Sequence, residues 1–409
     1  MTTAENKVIG HLLRVMRHRR SLSTAQSYEA VRVPRDKQAA VKQRDVQFSD
    51  FEAVASLKKR WGLRKDSLEN WHRLWRDNAA VSTAKSPLSM GWVLEAEGKI
   101  VGYSGSIPLL YHYGTQPLIA ATGHGLVVEP AYRVRSIGLL ASFYHQKNID
   151  LFLITTAIPT VGSLSKIFRA KVVPQRDYDM VLFWILNAQR FAMAVIKKFG
   201  INGEIGRLVS LVGALALRTE MTMRTRSSEP NLRKSHVTAI EVHEIGADFD
   251  GLWQRKLMEK PTLLADRSAT SLRWHFTIPG SERKTIVLCC HSHGHLAGYA
   301  VVQNVTDEKS GLQRSIMADM LVEEDDPELV QTLLVEAYWR ARASGSHVFE
   351  VLGFPQNIRQ IMKHGKPYFR KYPACPFFYK AKDEILQQIL ANEYAWYANA
   401  FDGDTTLMP

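Results

Sequence analysis

The sequence predicts an α+β fold, a mixed central sheet flanked by helices, with two such domains in tandem. The first observation is the length of 409 residues, enough for two or three domains. The second is the composition, 45% hydrophobic and 23% charged, which is typical of a globular chain with a full core. The third is an internal repeat, in which one order of helices and hairpin strands recurs after about 195 residues.

The first folded block opens near Val46 with helices. Apolar residues recur at helical spacing over 51–77, and Ser67 stands where a helix N-cap is expected. The Glu97-Gly98 dipeptide predicts a hairpin turn between two strands. The further elements predicted in chain order are strands at 91–96, 99–113 and 118–128, a helix over 136–147, a strand at 151–156, a short helix over 163–169 and a strand at 180–185.

The second block repeats this pattern. The segment VLEAEGKIVGY at 93–103 resembles VLCCHSHGHLAGY at 287–299, so Tyr103 corresponds to Tyr299 at an offset of 196. Other pairs occur in the same order at offsets from 194 to 203. We therefore predict a duplicated domain, and the alternative is two unrelated α+β domains that share common hairpin residues.

The predicted domain boundaries follow from these blocks. They are a basic N-terminal arm over 1–45, a first domain over 46–186, an amphipathic linker over 187–235, a second domain over 236–382, and a C-terminal helix and tail over 383–409.

Two of these segments leave alternatives open. The linker is either a helix packed against one domain or a basic helix at a membrane surface. The acidic Asp402-Gly-Asp404 turn lies either in solvent or in the cleft between the domains. The linker cations that favour a membrane surface are Lys197, Lys198, Arg207, Arg218, Arg224 and Arg226.

Charge and cysteine content limit the class of partner. The 53 Lys and Arg against 40 Asp and Glu give a net charge of +13, which favours nucleic acid, an acidic membrane or a phosphate-bearing cofactor. Cys289, Cys290 and Cys375 indicate no disulfide framework, and the N-terminus lacks a secretory pattern, so a cytoplasmic protein is expected. No apolar run reaches the ~18–20 residues that span a bilayer.

The residues that indicate chemistry lie at 125–140, GLVVEPAYRVRSIGLL. An apolar strand runs through a proline turn into a helix, whose first N–H groups and dipole are suited to bind an anion. Arg133 and Arg135 add positive charge, and Ser136 and Gly138 are small where phosphate oxygens would approach. The alternative is a basic helix N-terminus that only caps itself.

This segment resembles the acyl-CoA pyrophosphate loop of the GNAT (N-acetyltransferase) superfamily, Gln/Arg-x-x-Gly-x-Gly/Ala after a strand. Arg133 matches the first position and Gly138 the last, while Ser136 replaces the usual middle glycine. The order of elements over about 46–186 is also similar. The resemblance implies acetyl-CoA or another acyl-CoA as co-substrate, without a metal, and pantetheine paired with the main chain of the preceding strand. The residues that it assigns to the cofactor are Val127, Val128, Arg133, Val134, Arg135, Ser136, Ile137 and Gly138.

The second copy lacks this loop. At an offset of 194 it reads PELVQT at 327–332, without glycine or arginine, and four carboxylates at 323–326 precede it. These carboxylates would repel a pyrophosphate, so we predict that the second copy does not hold CoA in the usual way. The chain thus resembles tandem GNAT proteins with one degenerate copy, including Fem-type peptidyltransferases, in which the cleft between copies helps bind the acceptor.

GNAT chemistry is the direct attack of an acceptor amine or hydroxyl on the thioester, with a base to take the proton. Strand parity puts Thr122, His124 and Leu126 on one face, and His124 titrates near neutral pH, so His124 is the candidate base. The alternative is a histidine satisfied inside the sheet, and Glu129 at the turn is more typical of a helix cap. The tyrosine that many GNAT enzymes use as general acid corresponds to Phe168, which has no proton to give.

The predicted function is acyl transfer to an amine or hydroxyl of a small-molecule, saccharide or aminoacyl acceptor. The second hypothesis is a non-catalytic acyl-CoA-binding regulator, and the third is a nucleic-acid or membrane-surface binder. No helix-turn-helix or RNA-binding motif is present, so no specific nucleic-acid contact is expected. His291, His293 and His295 diverge around a predicted turn, so we expect no metal site there.

Overall fold

The computed structural model of the chain describes residues 41–64, 66–156, 158–198, 200, 203–226, 238–278, 283–372 and 376–407, with the backbone alone at 203–209 and 223–226. Most of the predicted N-terminal arm, and Cys375, lie outside these residues. The last residues of that arm, Lys42–Asp45, form a β-strand, so the described secondary structure begins before the predicted boundary at Val46.

The helices agree in kind and order with the sequence pattern. Ser67 caps the second helix as predicted, because its hydroxyl accepts the N–H of Asn70 at 3.1 Å. Among the described residues the helices are α1 (Phe51–Arg60), α2 (Leu68–Trp75), α3 (Ala79–Thr83), α4 (Ser136–Tyr144), α5 (Pro159–Ile167), α6 (Ala188–Lys198), α7 (Gly203–Arg226), α8 (Asp248–Glu259), α9 (Ala269–Phe276), α10 (Pro327–Ala343), α11 (Gln356–Lys363) and α12 (Glu384–Ile389).

The strands include the predicted hairpins. Glu97 has a φ of +51° in the turn between the second and third strands, where Gly98 follows it. The strands of the described residues are β1 (Lys42–Asp45), β2 (Gly91–Ala96), β3 (Lys99–Tyr113), β4 (Gln116–Val128), β5 (Leu151–Ile154), β6 (Lys171–Val172), β7 (Met180–Ile185), β8 (Ala239–Val242), β9 (Leu263–Ala265), β10 (Thr285–Ser292), β11 (His295–Asp307), β12 (Leu312–Val322), β13 (Val348–Val351), β14 (Tyr368–Lys371) and β15 (Phe378–Ala381).

Two mixed sheets organise these strands, as the predicted fold class requires. Within the described residues, the first sheet has the order β1-β2-β3-β4-β5-β15-β6, and β9 pairs with β3. The second has the order β14-β7-β13-β12-β11-β10-β8. The parallel pair is β4 with β5 in the first sheet and β12 with β13 in the second, so the two sheets share a central arrangement.

The last strand of each predicted domain pairs in the sheet of the other. β7 lies between β13 and β14 and is antiparallel to both. β15 lies between β5 and β6 in the same way. Neither 46–186 nor 236–382 therefore contains every strand of one sheet. The boundaries remain a prediction, and a chain cut between them would lose β9 and β15 from the first sheet and β7 from the second.

A β-bulge in β4 sets which side chains share a face. Tyr103 is opposite Val127 and Gly105 is opposite His124, so β4 has one residue more than β3 in this interval. Gly125 lies in the bulge with a φ of +64°, a conformation that favours glycine.

Because of the bulge, the prediction that Thr122, His124 and Leu126 share one face is wrong for Leu126. Val127 packs in the core beneath α1 and α2, whereas Leu126 packs with the α4 cluster on the opposite side. An extra residue inverts the alternation of a strand, and the sequence pattern did not show where it would be inserted.

The C-terminal segment 396–407 is buried between the two sheets. Asn399 is fully buried, and its side-chain amide donates to Asp319 of β12 at 2.8 Å. Asp404 is also buried and contacts His124 of β4. The cleft position of the Asp402-Gly-Asp404 turn is confirmed, and the alternative of a solvated tail is wrong. Its aromatic residues supply the apolar area that holds the segment in place.

Candidate functional site

The pair of parallel strands in the first sheet diverges at one end. β4 pairs with β5 only where Ala120–Thr122 meet Leu151–Leu153, although β4 continues to Val128. On its other side β4 stays paired with β3 up to Val128. The main chain at Val127 and Val128 therefore has one edge outside the β4–β5 ladder, and their side chains pack into the two cores.

The loop after β4 is helical from an earlier point than predicted. A 3₁₀ helix over Pro130–Arg135 leads directly into α4, because Pro130 presets the φ of a first helical residue. Ser136 donates its backbone N–H and its hydroxyl to the carbonyl of Arg133, the latter at 2.7 Å. The N–H of Ser136 must leave this carbonyl before it can reach an anion.

Six of the residues assigned to the cofactor, 133–138, lie together along this turn, and four of these six are exposed. Val134 is 66% exposed and Ile137 is 43% exposed, and both arginines are exposed as well. Gly138 lies against β1, where an added Cβ would approach the side-chain oxygen of Gln43 at 3.0 Å. A larger residue here would make the flexible end of Gln43 shift by a few tenths of an ångström, so local packing favours a small residue at 138 beside the predicted anion site.

His124 lies at the centre of a buried polar cluster on the α1 side of the sheet. Its Nε2 is 3.0 Å from Lys58 Nζ and 3.4 Å from Asp66 Oδ2. Its Nδ1 is 3.3 Å from Asp404 Oδ2. Lys58 also donates to Asp66 at 2.8 Å, and all four side chains are buried.

The charges of this cluster favour a proton on His124. With a neutral imidazole, one ammonium and two carboxylates leave the cluster with a net negative charge, and protonation of His124 cancels it. Burial and the charge of Lys58 oppose the imidazolium, but hydrogen bonds to Asp404 and Asp66 outweigh them and raise the pKa of His124. Burial also disfavours the Asp66 carboxylate, yet contacts with His124 and Lys58 hold its pKa well below the ordinary value.

Asp404 connects this cluster to the end of β5. Its Oδ1 accepts hydrogen bonds from the hydroxyls of Thr155 and Thr156, at 3.0 and 3.2 Å. One carboxylate from the C-terminal segment thus bridges β4 and β5 where they begin to diverge. Gly403 makes this approach with a φ of +70°, and an added Cβ would be 2.4 Å from Thr155.

Lys58 and Asp66 are candidate site residues that the sequence pattern did not indicate, and Asp404 was indicated only as part of an acidic turn without a partner. They lie far from His124 along the chain, the last by 280 residues. Asp66 directly precedes the N-cap Ser67, which is a place where an acidic residue is ordinarily explained by the helix. Only the packing of α1 and of the C-terminal segment on the sheet brings the three together.

In the second sheet, the equivalent gap between the two parallel strands β12 and β13 is filled by residues of the chain itself. β12 and β13 pair only over Arg314–Met317 and Val348–Val351, and β12 continues to Val322. The Tyr397 hydroxyl donates to the carbonyl of Met320 at 2.8 Å, and Phe354 donates its N–H to Ala398 at 2.7 Å. The C-terminal segment thus lies along this gap.

The helix after β12 is also capped from within. The Asp326 side chain accepts the N–H groups of Glu328 and Leu329, at 2.8 and 2.9 Å. A carboxylate therefore takes the donors that a pyrophosphate would need. This geometry supports the prediction that the second copy does not bind CoA through this helix.

The remaining sequence candidates have local partners. Phe168 stacks on Tyr144 with ring centroids 5.2 Å apart, and Glu129 pairs with Arg60 at 2.9 Å. His293 has a φ of +50° in a turn, and His295 pairs with Glu323. The described part of the chain contains no group of three or more His, Cys, Asp or Glu residues that could hold a metal ion.

Comparison with known proteins identifies the fold. No protein-family model matches the sequence, and no curated protein matches it. A GCN5-related N-acetyltransferase from Anabaena variabilis superposes at a TM-score of 0.52 and 10% identity, covering 84% of this chain and 73% of its own. A protein from Enterococcus faecalis described as a probable N-acyltransferase superposes at 0.52 and 8% identity, covering 83% and 72%. The chain therefore has the GCN5-related N-acetyltransferase fold.

Proposed function

We propose that this protein transfers an acetyl or other acyl group from acyl-CoA to an amine or hydroxyl acceptor. The observation that carries the proposal is the divergence of β4 from β5 after Thr122, next to a buried His124 and followed by the Arg133 turn. The open main-chain edge at Val127 and Val128 suits the amide groups of pantetheine. By analogy with Fem-type peptidyltransferases, in which the cleft between the copies helps bind the acceptor, we assign the acceptor to the cleft between the two sheets.

In the proposed reaction the acceptor nitrogen or oxygen attacks the thioester carbonyl carbon. A bond from the acceptor to that carbon forms, the C–S bond breaks, and the sulfur leaves as a thiolate with the electron pair. The acceptor proton goes to His124 Nε2, directly or through one water. The arrangement of residues around His124 explains how it can be accepted.

Neutral His124 donates Nδ1–H to Asp404 and accepts at Nε2 from Lys58. When Nε2 takes a proton, the Lys58 ammonium turns fully to Asp66, to which it already donates at 2.8 Å. The new Nε2–H then faces Asp66 Oδ2 at 3.4 Å. The cluster thus holds the added proton without leaving an unpaired buried charge, a condition that buried ions require.

The proposal is tested directly by thiol release from acetyl-CoA in the presence of amines, sugars and aminoacylated acceptors, with calorimetry of acetyl-CoA binding in parallel. Turnover that depends on an acceptor supports acyl transfer. Binding without any turnover favours the alternative, a non-catalytic acyl-CoA-binding regulator, to which the phenylalanine at position 168 also points. Absence of binding excludes both.

Arg133→Glu is expected to weaken acyl-CoA binding by more than tenfold. A charge-assisted hydrogen bond to the pyrophosphate, about 1.5–3 kcal/mol, is lost and replaced by repulsion. Calorimetry measures the dissociation constant, and melting curves check folding. Lys309→Glu is the matched control, since it makes the same charge change at an exposed turn of the second sheet. Equal affinity for the Arg133 variant and wild type would remove the cofactor assignment.

We also propose that the α6–α7 pair contacts an anionic membrane surface. Leu211, Val212 and Leu215 on α7 are 52%, 72% and 68% exposed, an apolar face larger than isolated surface residues provide. Arg218 lies seven residues from Leu211, on the same side of the helix, and is exposed, as is Lys197 at the end of α6. No helix among the described residues is long and apolar enough to cross a bilayer.

We expect the protein to cosediment with vesicles that contain phosphatidylglycerol and not with pure phosphatidylcholine vesicles. Val212→Asp together with Leu215→Asp should lower this binding by about tenfold or more, because apolar insertion is lost and anions repel. Met258→Asp, at an exposed apolar residue of α8, serves as the control. Cosedimentation that is equal for both variants would contradict a contact through α7.

A further inference from the structure

Two tyrosines occupy equivalent positions in the two sheets. Tyr103 and Tyr299 each lie early in the long second strand of a hairpin, in β3 and β11. His124 is opposite the residue two after Tyr103, and Asp319 is opposite the residue two after Tyr299. The sheet registers therefore make His124 and Asp319 counterparts, each on the strand that diverges from its parallel neighbour.

In the second sheet the tyrosine hydroxyl has a structural partner. The Tyr299 hydroxyl donates to Asp319 Oδ2 at 2.6 Å. Asp319 also binds Arg267 at 3.0 Å, and both side chains of this ion pair are fully buried. Asn399 of the C-terminal segment donates to the same carboxylate. This hydroxyl is part of a closed network in which the donors and acceptors satisfy one another.

In the first sheet the equivalent hydroxyl is buried without such a partner. Tyr103 is fully buried, and its hydroxyl makes no hydrogen bond to any residue that the structure describes. The hydroxyl of Thr122, two residues before His124 on the same face, is in the same situation. A buried hydroxyl that stays unpaired destabilises a fold, so phenylalanine would be the more stable residue at 103.

The Tyr103 hydroxyl is directed at the divergence of β4. An added Cβ on Gly105 would be 2.4 Å from this hydroxyl and 2.9 Å from the carbonyl oxygen of His124. The Tyr103 ring lies over the bulge, 3.4 Å from where a Cβ of Gly125 would be. Lys58 Nζ is 5.8 Å from the ring centroid. Gly105 thus leaves room for the hydroxyl beside the backbone of the candidate base.

We infer that the Tyr103 hydroxyl donates a hydrogen bond to the carbonyl oxygen of the acyl thioester. The inference rests on the proposed acyl transfer and adds a group that would stabilise the negative charge formed on this oxygen as the acceptor attacks. Burial raises the pKa of Tyr103 well above its ordinary value, so the hydroxyl keeps its proton and acts as a donor.

The test compares Tyr103→Phe with Tyr299→Phe, each of which removes only a hydroxyl. For Tyr103→Phe we expect kcat to fall about tenfold to a hundredfold, with a melting temperature equal to or above that of wild type. The preference for acetyl-CoA over free CoA, measured by calorimetry, should also fall severalfold, and this readout needs no acceptor. Tyr299→Phe should lower the melting temperature and leave the acetyl-CoA preference unchanged.

The possible results distinguish failure of this inference from failure of the proposed acyl transfer. Tyr103→Phe with wild-type turnover and an unchanged acetyl-CoA preference would overturn the inference while acyl transfer stands. A lower melting temperature for Tyr103→Phe, with no change in ligand preference, assigns the hydroxyl a structural role and also overturns it. If wild type binds neither acetyl-CoA nor CoA, the proposed function fails first and the inference fails with it.

Discussion

His124→Ala is expected to lower turnover about a hundredfold and to leave the affinity for acyl-CoA nearly unchanged. General-base catalysis raises the rate by roughly 10²–10⁴-fold. His124 belongs to the buried cluster that would hold the proton and does not belong to the turn that would bind the pyrophosphate. Steady-state kinetics gives kcat, and calorimetry gives the dissociation constant. A fall in both, in step with a lower melting temperature, would instead identify a histidine that only stabilises the sheet.

His347→Ala provides the control for this experiment. His347 is also buried, and its Nδ1 accepts the N–H of Gln313, so its loss removes a comparable hydrogen bond in the second sheet. We expect this variant to lose stability and to keep the kcat of the folded protein. Two buried histidines with opposite effects on turnover would distinguish catalysis from packing.

The pH profile gives an independent check on the role of His124. A base must be neutral, and the pKa of His124 is raised, so the acid limb of kcat should lie above the ordinary value of ~6.5. Asp404→Asn removes a hydrogen bond that favours the imidazolium, so this limb should move to lower pH. The stability that protonated His124 contributes is present at low pH and is lost as the pH rises through its raised pKa.

Asp319→Ala is expected to destabilise the protein by about 3–5 kcal/mol. The substitution leaves the fully buried Arg267 guanidinium without its carboxylate and frees the Tyr299 hydroxyl, and removing one partner of a buried pair has this cost. Urea denaturation measures the free energy of unfolding. A loss within about 0.5 kcal/mol, the range of surface substitutions, would contradict the structural role of this pair.

The double variant Arg267→Met with Asp319→Leu isolates the ion pair from simple loss of packing. Replacement of a buried pair by apolar residues of similar size is often neutral or stabilising. We therefore expect it to recover the part of the lost stability that comes from the unpaired guanidinium, while the donors of Tyr299 and Asn399 stay without their acceptor. Its counterpart in the first sheet, Asp66 with His124, should not be replaceable in this way without loss of turnover, because that pair belongs to the proposed proton-accepting cluster.

Equivalent positions in the two sheets carry polar clusters of different kinds, one around His124 and one around Asp319. Tyr103 and Tyr299 have equivalent positions, yet the Tyr299 hydroxyl donates to Asp319, whereas the Tyr103 hydroxyl makes no hydrogen bond to any described residue. Both sheets thus hold the C-terminal segment through buried polar contacts, from Asn399 to Asp319 and from Asp404 to His124. The first sheet has in addition the Tyr103 hydroxyl, for which we propose a contact with the ligand.

The local elements could be predicted from the amino-acid sequence. Period-two patterning and the Glu97-Gly98 turn predicted β2 and β3 at their observed bounds, and Ser67 predicted the start of α2. Such elements are predictable because local propensity and patterning act over a few residues. The predicted repeat also led us to expect two similar sheets, and the described residues form two mixed sheets with a parallel pair in each. The Arg133 turn at a strand–helix junction indicated a resemblance to the GNAT superfamily. A solved GCN5-related N-acetyltransferase shares the fold of this chain.

Tertiary structure alone decided which segments meet. β7 and β15 are short apolar strands whose sequences carry no signal for one sheet over the other, so their exchange depends on pairing across the whole chain. The bulge at Gly125 reversed the predicted facing of Leu126 through one extra residue. The partners of His124 come from α1 and from a segment 280 residues away, because buried charges must find opposite charges wherever packing brings them.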